Sequence, residues 1–119
     1  MTRSELARRG EDAAAAYVER IGVTVVDRNW RCTSGEVDIV ALDGRTLVIV
    51  EVKTRRTSSA GTPEEAVSPT KQRRLSRVAR HYVAHAGLED AEVRFDVIAI
   101  RPIGDDRALL RHHRAAFTT

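Results

Sequence analysis

The chain contains very little of what builds disulfide-rich, zinc-finger or membrane-spanning proteins. Cys32 is the only cysteine among 119 residues, which excludes an internal disulfide and a cysteine-rich zinc site. No apolar run is long enough to span a bilayer, and the first residues lack the apolar region of a secretory signal. We therefore expect one cytoplasmic domain over residues 1–119 with no membrane partner. Its core should cover about 4–101, and the sequence leaves the structure of the C-terminal tail, 102–119, open.

Aromatic residues and the common catalytic loops are also scarce. Aromatics make up 4% of the chain, which argues against a stacking platform for single-stranded nucleic acid. Neither a glycine-rich phosphate loop nor a nucleophile elbow is present, and no third ligand joins His81 and His85, which have zinc-ligand spacing. The chain is rich in arginine instead, since Lys53 and Lys71 are its only lysines and the other eighteen of its 20 basic residues are arginines. This composition and a net charge of +3 favour a polyanionic partner.

A predicted β-hairpin carries charged side chains among many apolar ones. Asp43-Gly44 lies between two β-branched runs, which is a strong hairpin signal. If these two residues form the turn, the pairs across the hairpin are Leu42–Arg45, Val40–Leu47, Asp38–Ile49 and Glu36–Glu51. Strand alternation then places four charged residues on one face: Glu36, Asp38, Glu51 and Lys53. Buried charges are costly unless they are paired or bind a metal, so this face is a candidate site.

The remaining patterns predict two helices and two further strands. Helical spacing indicates a first helix capped by Ser4 and ended by Gly22, and Ser68-Pro69 begins a second helix that ends at Gly87. Residues 23–31 and 92–101 read as strands, 55–62 as a loop and 63–67 as a short helical turn, while 108–117 is either an edge strand or a mobile tail. The third strand is apolar on both faces, so we expect an α/β sheet covered on both sides, in the order αβββαβ.

In this order of elements, Asp38 and Glu51-Val52-Lys53 resemble the PD-(D/E)XK nuclease superfamily. More closely, the chain resembles the YraN-like family, which is similar to archaeal-type Holliday junction resolvases. The matching segments are Arg9-Gly10-Glu11, Arg28-Asn29-Trp30-Arg31, Gly35-Glu36-Val37-Asp38, Glu51-Val52-Lys53-Thr54-Arg55, Lys71-Gln72-Arg73-Arg74 and Arg94-Phe95-Asp96-Val97. The resemblance implies a restriction-endonuclease-like core, which is a mixed β-sheet flanked by helices.

The same resemblance implies roles for the charged residues. Asp38, Glu51 and the Val52 carbonyl would hold Mg²⁺ or Mn²⁺, and Lys53 would lie beside the attacking water. Glu11 matches the acidic helix residue of resolvase-like members. Glu11 and Glu36 are candidates either for supporting the ligands of that ion from the next layer of residues or for holding a second ion, and the choice between one and two metals stays open.

These roles predict a metal-dependent endonuclease acting on DNA, with branched or junction DNA as the implied substrate and a two-fold dimer as the implied assembly. The expected nucleic-acid contacts are Arg55, Arg56, Lys71, Gln72, Arg73, Arg77 and Arg80. A binding module without catalysis and an accessory protein for an acidic partner are the alternatives, and RNA remains open beside DNA. We interpret Trp30 as a packing residue and Asp96 as a structural hydrogen-bond or ion-pair partner.

Overall fold

The computed structural model describes residues 1–56 and 67–118. Along this part of the chain it has two helices and five strands: α1 (Arg3–Arg20), β1 (Thr24–Cys32), β2 (Gly35–Asp43), β3 (Thr46–Thr54), α2 (Pro69–Ala86), β4 (Val93–Pro102) and β5 (Ala108–Phe117). Of the two alternatives for the tail, the structure has the edge strand, so the order is αβββαββ. The loop and helical turn predicted between 55 and 67 lie mostly outside the described residues.

The helix ends follow local capping chemistry. Ser68 caps α2 as predicted, since its hydroxyl accepts the Lys71 N–H at 3.2 Å. The predicted cap of α1 is wrong, because Thr2 rather than Ser4 precedes the helix. The Thr2 hydroxyl accepts the Glu5 N–H at 3.1 Å, and the Glu5 carboxylate accepts the Thr2 N–H. This reciprocal capping box satisfies two helix-end donors, which a start at Ser4 would not do.

The five strands form one mixed sheet in the order β1-β2-β3-β4-β5. The β3–β4 pair is parallel, and the other pairs are antiparallel. α2 crosses over between β3 and β4 and packs on one face through Leu75, Val78 and Tyr82. α1 packs on the other face through Ala14 and Val18. The prediction of a sheet covered on both sides is therefore confirmed, and the molecule has three layers.

The turn of the β2–β3 hairpin is shifted from its predicted position. Gly44 and Arg45 form the turn, so the prediction of Asp43-Gly44 is wrong by one residue. The observed pairs are Asp43–Thr46, Leu42–Leu47, Ala41–Val48, Val40–Ile49 and Ile39–Val50. Gly44 has φ 61, and the first central position of a type II′ turn requires such a positive φ. Since the strand pairing moves by an even number of residues, the β3 side chains keep their predicted faces.

Neither helix in the described part of the chain has an apolar stretch long enough to cross a bilayer.

Candidate active site

Asp38 lies where β2 and β3 separate. Their backbone pairing runs back from the turn only as far as Ile39 and Val50. Beyond that point the Val52 N–H donates to Asp38 Oδ2 at 2.8 Å. Because the N–H groups of a strand point along the sheet toward the neighbouring strand, the Asp38 carboxyl lies between the two strands. It takes the place of a backbone acceptor in the sheet.

Glu51, on β3, is the buried carboxylate of the site and is only 5% exposed. Its Oε1 accepts a hydrogen bond from Lys71, which α2 supplies from its first turn. Lys53 Nζ lies 3.6 Å from the same oxygen. Two ammonium groups from different elements therefore neutralise one carboxylate, with Asp38 beside it.

Burial and mutual charge shift the pKa values of these groups. Burial, and then the negative charge of Glu51, raise the pKa of Asp38 from 3.8 to about 7. Burial lowers the pKa of Lys53 despite the opposing charge of Glu51. Burial works in the same direction on Lys71, but the hydrogen bond and charge of Glu51 outweigh it and raise the pKa of Lys71. Carboxyl and amino groups that have shifted pKa values and lie together at a partly buried position are typical of functional sites.

Glu36 does not lie on the same face as Glu51, and that part of the predicted arrangement is wrong. Val37 packs in the core on the α2 side, whereas Ile39 packs in the core on the α1 side. The strict alternation of faces is therefore interrupted at Asp38. Across from it on β1, Asn29 has φ 52, a left-handed conformation inside a strand. This irregularity in both strands turns Glu36 toward α1.

On the α1 side, Glu36 approaches Glu11. Burial raises the pKa of Glu11, and repulsion from Glu36 adds to the rise. Hydrogen bonding from Asn29 and the charge of Arg28 oppose it. Glu11 also adds to the electrostatic rise at Asp38. The four predicted acids thus form two pairs, Asp38 with Glu51 and Glu11 with Glu36, which meet where β2 separates from β3.

Gly10 brings α1 close to the end of β3, a packing role that the sequence analysis, which named it in the segment Arg9-Gly10-Glu11, did not predict. A Cβ atom on Gly10 would come 1.9 Å from Thr54 Oγ1 and 3.1 Å from Thr54 Cβ. Only glycine permits this approach of the helix to the strand. This close approach places Glu11 beside the site. The sequence signal that could have indicated it is a glycine immediately before an acidic residue in a predicted helix.

The predicted nucleic-acid contacts occupy different environments. Three of the arginines are exposed on α2: Arg73, Arg77 and Arg80. Arg55 and Arg56, which follow β3, are also exposed. Gln72 is used inside the molecule, since its side-chain amide donates to the Val67 carbonyl at 2.9 Å. Lys71 lies at Glu51 rather than on the exposed surface of the helix.

Trp30 and Asp96 have the structural roles that were interpreted for them. The Trp30 ring packs edge-on against Tyr82, with centroids 5.0 Å apart. Asp96 is 1% exposed and accepts hydrogen bonds from Arg94 and His112. Both predictions are confirmed, and neither residue adds a ligand to the candidate site.

The residues of the site fit a hard divalent cation held by few protein ligands. Within residues 1–56 and 67–118, no three acidic, histidine or cysteine side chains form a ready metal cage. Mg²⁺, however, is commonly held by one or two carboxylates and keeps several waters. Asp38 and Glu51 offer only oxygen donors, and their mutual repulsion, visible in the pKa of Asp38, is what a cation would relieve. The Val52 carbonyl belongs to the same short stretch of β3.

The fold and the site define the class of protein: a three-layer α/β domain with acids and lysines gathered where two strands separate. Residues 10–100 match the uncharacterised protein family UPF0102, and the chain belongs to this family. A UPF0102 protein of Geobacter sulfurreducens is 53% identical over 109 residues, which cover 92% of this chain and 85% of that protein. A relative from Syntrophotalea carbinolica is 50% identical over 115 residues, or 97% and 93% of the two chains. The predicted YraN-like family is thereby confirmed.

Proposed function

We propose that this protein is a metal-dependent endonuclease of the PD-(D/E)XK type that hydrolyses phosphodiester bonds of DNA, with Mg²⁺ or Mn²⁺ as its cofactor. The observation that supports it most is the meeting of Asp38, Glu51 and Lys53 at one partly buried point of the sheet. Buried charges are costly unless they are paired or bind a metal, and the raised pKa of Asp38 shows that the lysines do not fully offset this cost. A nuclease uses all three.

Each group has a chemical task in this reaction. Asp38, Glu51 and the Val52 carbonyl would hold the metal ion, which supplies a polarised phosphoryl oxygen and an acidic bound water. Lys53 can orient the attacking water and stabilise negative charge that develops on the phosphate. Its burial favours this task, since an ammonium in a partly desolvated place interacts more strongly with a developing charge than one in bulk water.

The surface around the site suits a polyanion. Arg73, Arg77 and Arg80 are exposed on α2, the helix that also carries Lys71. Phosphate groups are favourable partners for such guanidinium groups. We extend the proposal to branched or junction DNA as the substrate, a two-fold dimer as the assembly and the cytoplasm as the location. A symmetric dimer would let two sites cut two strands.

A cleavage assay tests the proposal. The parent protein is incubated with linear, flapped and four-way DNA and with a single-stranded RNA, in Mg²⁺, in Mn²⁺ and in chelator. We expect cleavage that chelator abolishes and that Lys53→Ala lowers by roughly 100-fold or more. Glu89→Gln is the matched control, because Glu89 is an exposed acid after α2. Absence of cleavage on every substrate, with a folded protein, would contradict the proposal.

A nucleic-acid-binding module without catalysis is the second candidate, and the pairing of Glu51 with Lys71 favours it. A carboxylate already neutralised by a lysine needs no metal. The substitution Glu51→Gln separates the two functions. A nuclease loses cleavage but keeps DNA affinity in a gel-shift titration, whereas a binding module has no cleavage to lose.

A further inference from the structure

Both lysines of the chain lie at the same carboxylate. The other eighteen basic residues are arginines, yet within residues 1–56 and 67–118 the ion pairs of Glu51 are with Lys53 and Lys71 alone. Arginine holds a carboxylate through a rigid planar fork, whereas lysine is a compact charge on a flexible stem. At every other basic position the chain has arginine, whereas at Glu51 it has lysine, the cation that changes partners more easily.

Asp38, Glu51, Lys53 and Lys71 form what we call the Glu51 cluster, and the charges of these four groups balance without a metal. Asp38 and Glu51 carry two negative charges when both are ionised, and Lys53 and Lys71 carry two positive ones. A divalent cation added to this cluster leaves an excess of two positive charges. The excess is relieved if one ammonium moves away and if an anion, such as a phosphodiester, arrives.

Lys71 is the ammonium that can move. It comes from the first turn of α2, where the helix dipole disfavours a cation, and its pairing with Glu51 is the main compensation. Its side chain is 32% exposed, compared with 25% for Lys53. Lys53 is held by β3 beside Glu51, whereas Lys71 reaches the cluster from a separate element.

We propose that Lys71 is an internal counterion that occupies Glu51 in the metal-free protein and transfers to a phosphate of the nucleic acid when a divalent cation binds. This inference rests on the proposed function and adds to it a coupling between metal and substrate. The metal expels Lys71 from Glu51, and the freed ammonium strengthens phosphate binding. By reciprocity, nucleic acid raises the affinity for metal by the same factor.

Metal affinity gives the first test. Mn²⁺ binding is measured by titration calorimetry, without nucleic acid, for the parent protein, Lys71→Met and Arg20→Met. Arg20 is the control, since it is an exposed basic residue at the end of α1 and lies outside the proposed nucleic-acid contacts. We expect Lys71→Met to bind Mn²⁺ roughly tenfold more tightly, because no charged hydrogen bond has to be broken. We expect no change for Arg20→Met.

Amine labelling of the parent protein gives the second test and needs no variant. Reductive methylation followed by peptide mass spectrometry labels the N-terminal amine and two lysines, and this small number of amines makes the result simple to interpret. We expect Mg²⁺ to raise the labelling rate of Lys71 several-fold relative to Lys53. A phosphorothioate duplex, which resists hydrolysis, should then protect Lys71 again.

The outcomes separate this inference from the proposed function. If the parent protein binds Mn²⁺ but Lys71→Met binds it no more tightly, and Mg²⁺ leaves Lys71 labelling unchanged, the counterion inference is overturned and the nuclease proposal stands. If the parent protein binds no Mn²⁺, with or without DNA, both are overturned. Tighter binding by Lys71→Met together with metal-dependent labelling supports the counterion.

Discussion

At the scale of single residues, the carboxyl group of Asp38 combines a structural and a chemical task. It accepts the Val52 N–H, as a backbone carbonyl would in a longer hairpin, and it lies beside Glu51. An asparagine amide can do both without charge, since its oxygen accepts and its NH₂ group donates. Asn is therefore a neutral replacement for the protonated form of Asp38, and Asp38→Asn isolates the effect of its ionisation.

We predict that Asp38→Asn removes a loss of stability that the metal-free parent protein suffers as pH rises. The pKa of Asp38 is 3.8 in its ordinary state and about 7 in the fold, so between these values the folded state keeps a proton that the unfolded state has lost. The free energy of unfolding should fall between about pH 4 and pH 7 in the parent. Urea unfolding of both proteins at pH 5 and pH 8 measures the difference.

The matched control for this measurement is Asp90→Asn, at an exposed acid in the turn after α2. Its pH profile should run parallel to that of the parent. If the profile of Asp38→Asn is also parallel, the raised pKa is not present in the protein.

The important acids could be identified from the sequence, but the side of the sheet that each occupies could not. Asp38 and Glu51 stand out because carboxylates are rare among consecutive Val and Ile residues. The face of the sheet on which Glu36 lies depends on Asn29, which is opposite Asp38. The positive φ of Asn29 coincides with an interruption in the alternation of side chains along β1 and β2. No short-range pattern predicts that conformation, because Asn adopts both positive and negative φ.

At the scale of elements, the distance between α1 and β3 is set by Gly10. Glycine inside a helix normally costs about 1 kcal/mol relative to alanine. The cost is accepted here because a Cβ atom would overlap the Thr54 side chain. Gly10 therefore lowers the helix propensity of α1 but allows α1 to pack closely on the end of β3.

We predict that Gly10→Ala destabilises the protein by about 1–3 kcal/mol, although the same change in an exposed helix would stabilise it. The overlap with Thr54 forces α1 away from the sheet. Thr54→Ala removes the Oγ1 and Cγ2 atoms, so the double variant Gly10→Ala/Thr54→Ala should recover part of the loss. A double-mutant cycle from urea unfolding measures this coupling. Additive effects of the two substitutions would show that the contact is not what limits the packing.

The elements themselves could be predicted where local chemistry alone decides them. Ser68-Pro69 and Gly87 bound α2 in the sequence and in the structure. The start of α1 was placed too late because two hydroxyl residues compete for the cap, and only the partnership of Thr2 with Glu5 decides between them. The hairpin turn had a similar ambiguity, since Gly44 can occupy either position of a two-residue turn.

At the scale of the whole molecule, one buried carboxylate connects the C-terminal strand to the rest of the fold. Asp96 on β4 accepts hydrogen bonds from Arg94, from His112 and from the Ala115 N–H. Ala115 has φ 50, at an irregularity in β5 opposite Asp96. Tyr17 extends the connection to α1 through His112, at 3.1 Å.

This connection explains why the tail could not be assigned from its sequence. Leu109, Arg111 and their neighbours lack regular alternation, and the strand is interrupted where Asp96 takes the Ala115 N–H. The strand forms by antiparallel pairing with β4, and Asp96, 19 residues before Ala115, accepts the Ala115 N–H where that pairing shifts. A backbone hydrogen-bond partner so distant in sequence leaves no pattern in the residues of the strand itself.

We predict that Asp96→Asn lowers the free energy of unfolding by about 3–5 kcal/mol, because it leaves the donors around a buried acid without their charge partner. Hydrogen bonds from His112 and Arg94 hold the pKa of Asp96 below its ordinary value in spite of its burial. Its contribution is therefore present above the unfolded pKa and is lost as pH falls through the lower folded pKa. Parent and variant should differ most near pH 7 and converge in acid, as followed by urea unfolding.

Asp106→Asn is the control for this substitution, since Asp106 is exposed between β4 and β5 and should change stability by less than about 0.5 kcal/mol. Metal binding supplies an independent reading of the same variant. Asp96 is not hydrogen-bonded to Asp38, Glu51 or either lysine in the described residues, so the fraction of Asp96→Asn that stays folded should bind Mn²⁺ with the affinity of the parent. A loss of stability equal to that of Asp106→Asn would mean that the C-terminal strand is held by its apolar contacts, chiefly the stacking of Phe95 on Phe117, rather than by Asp96.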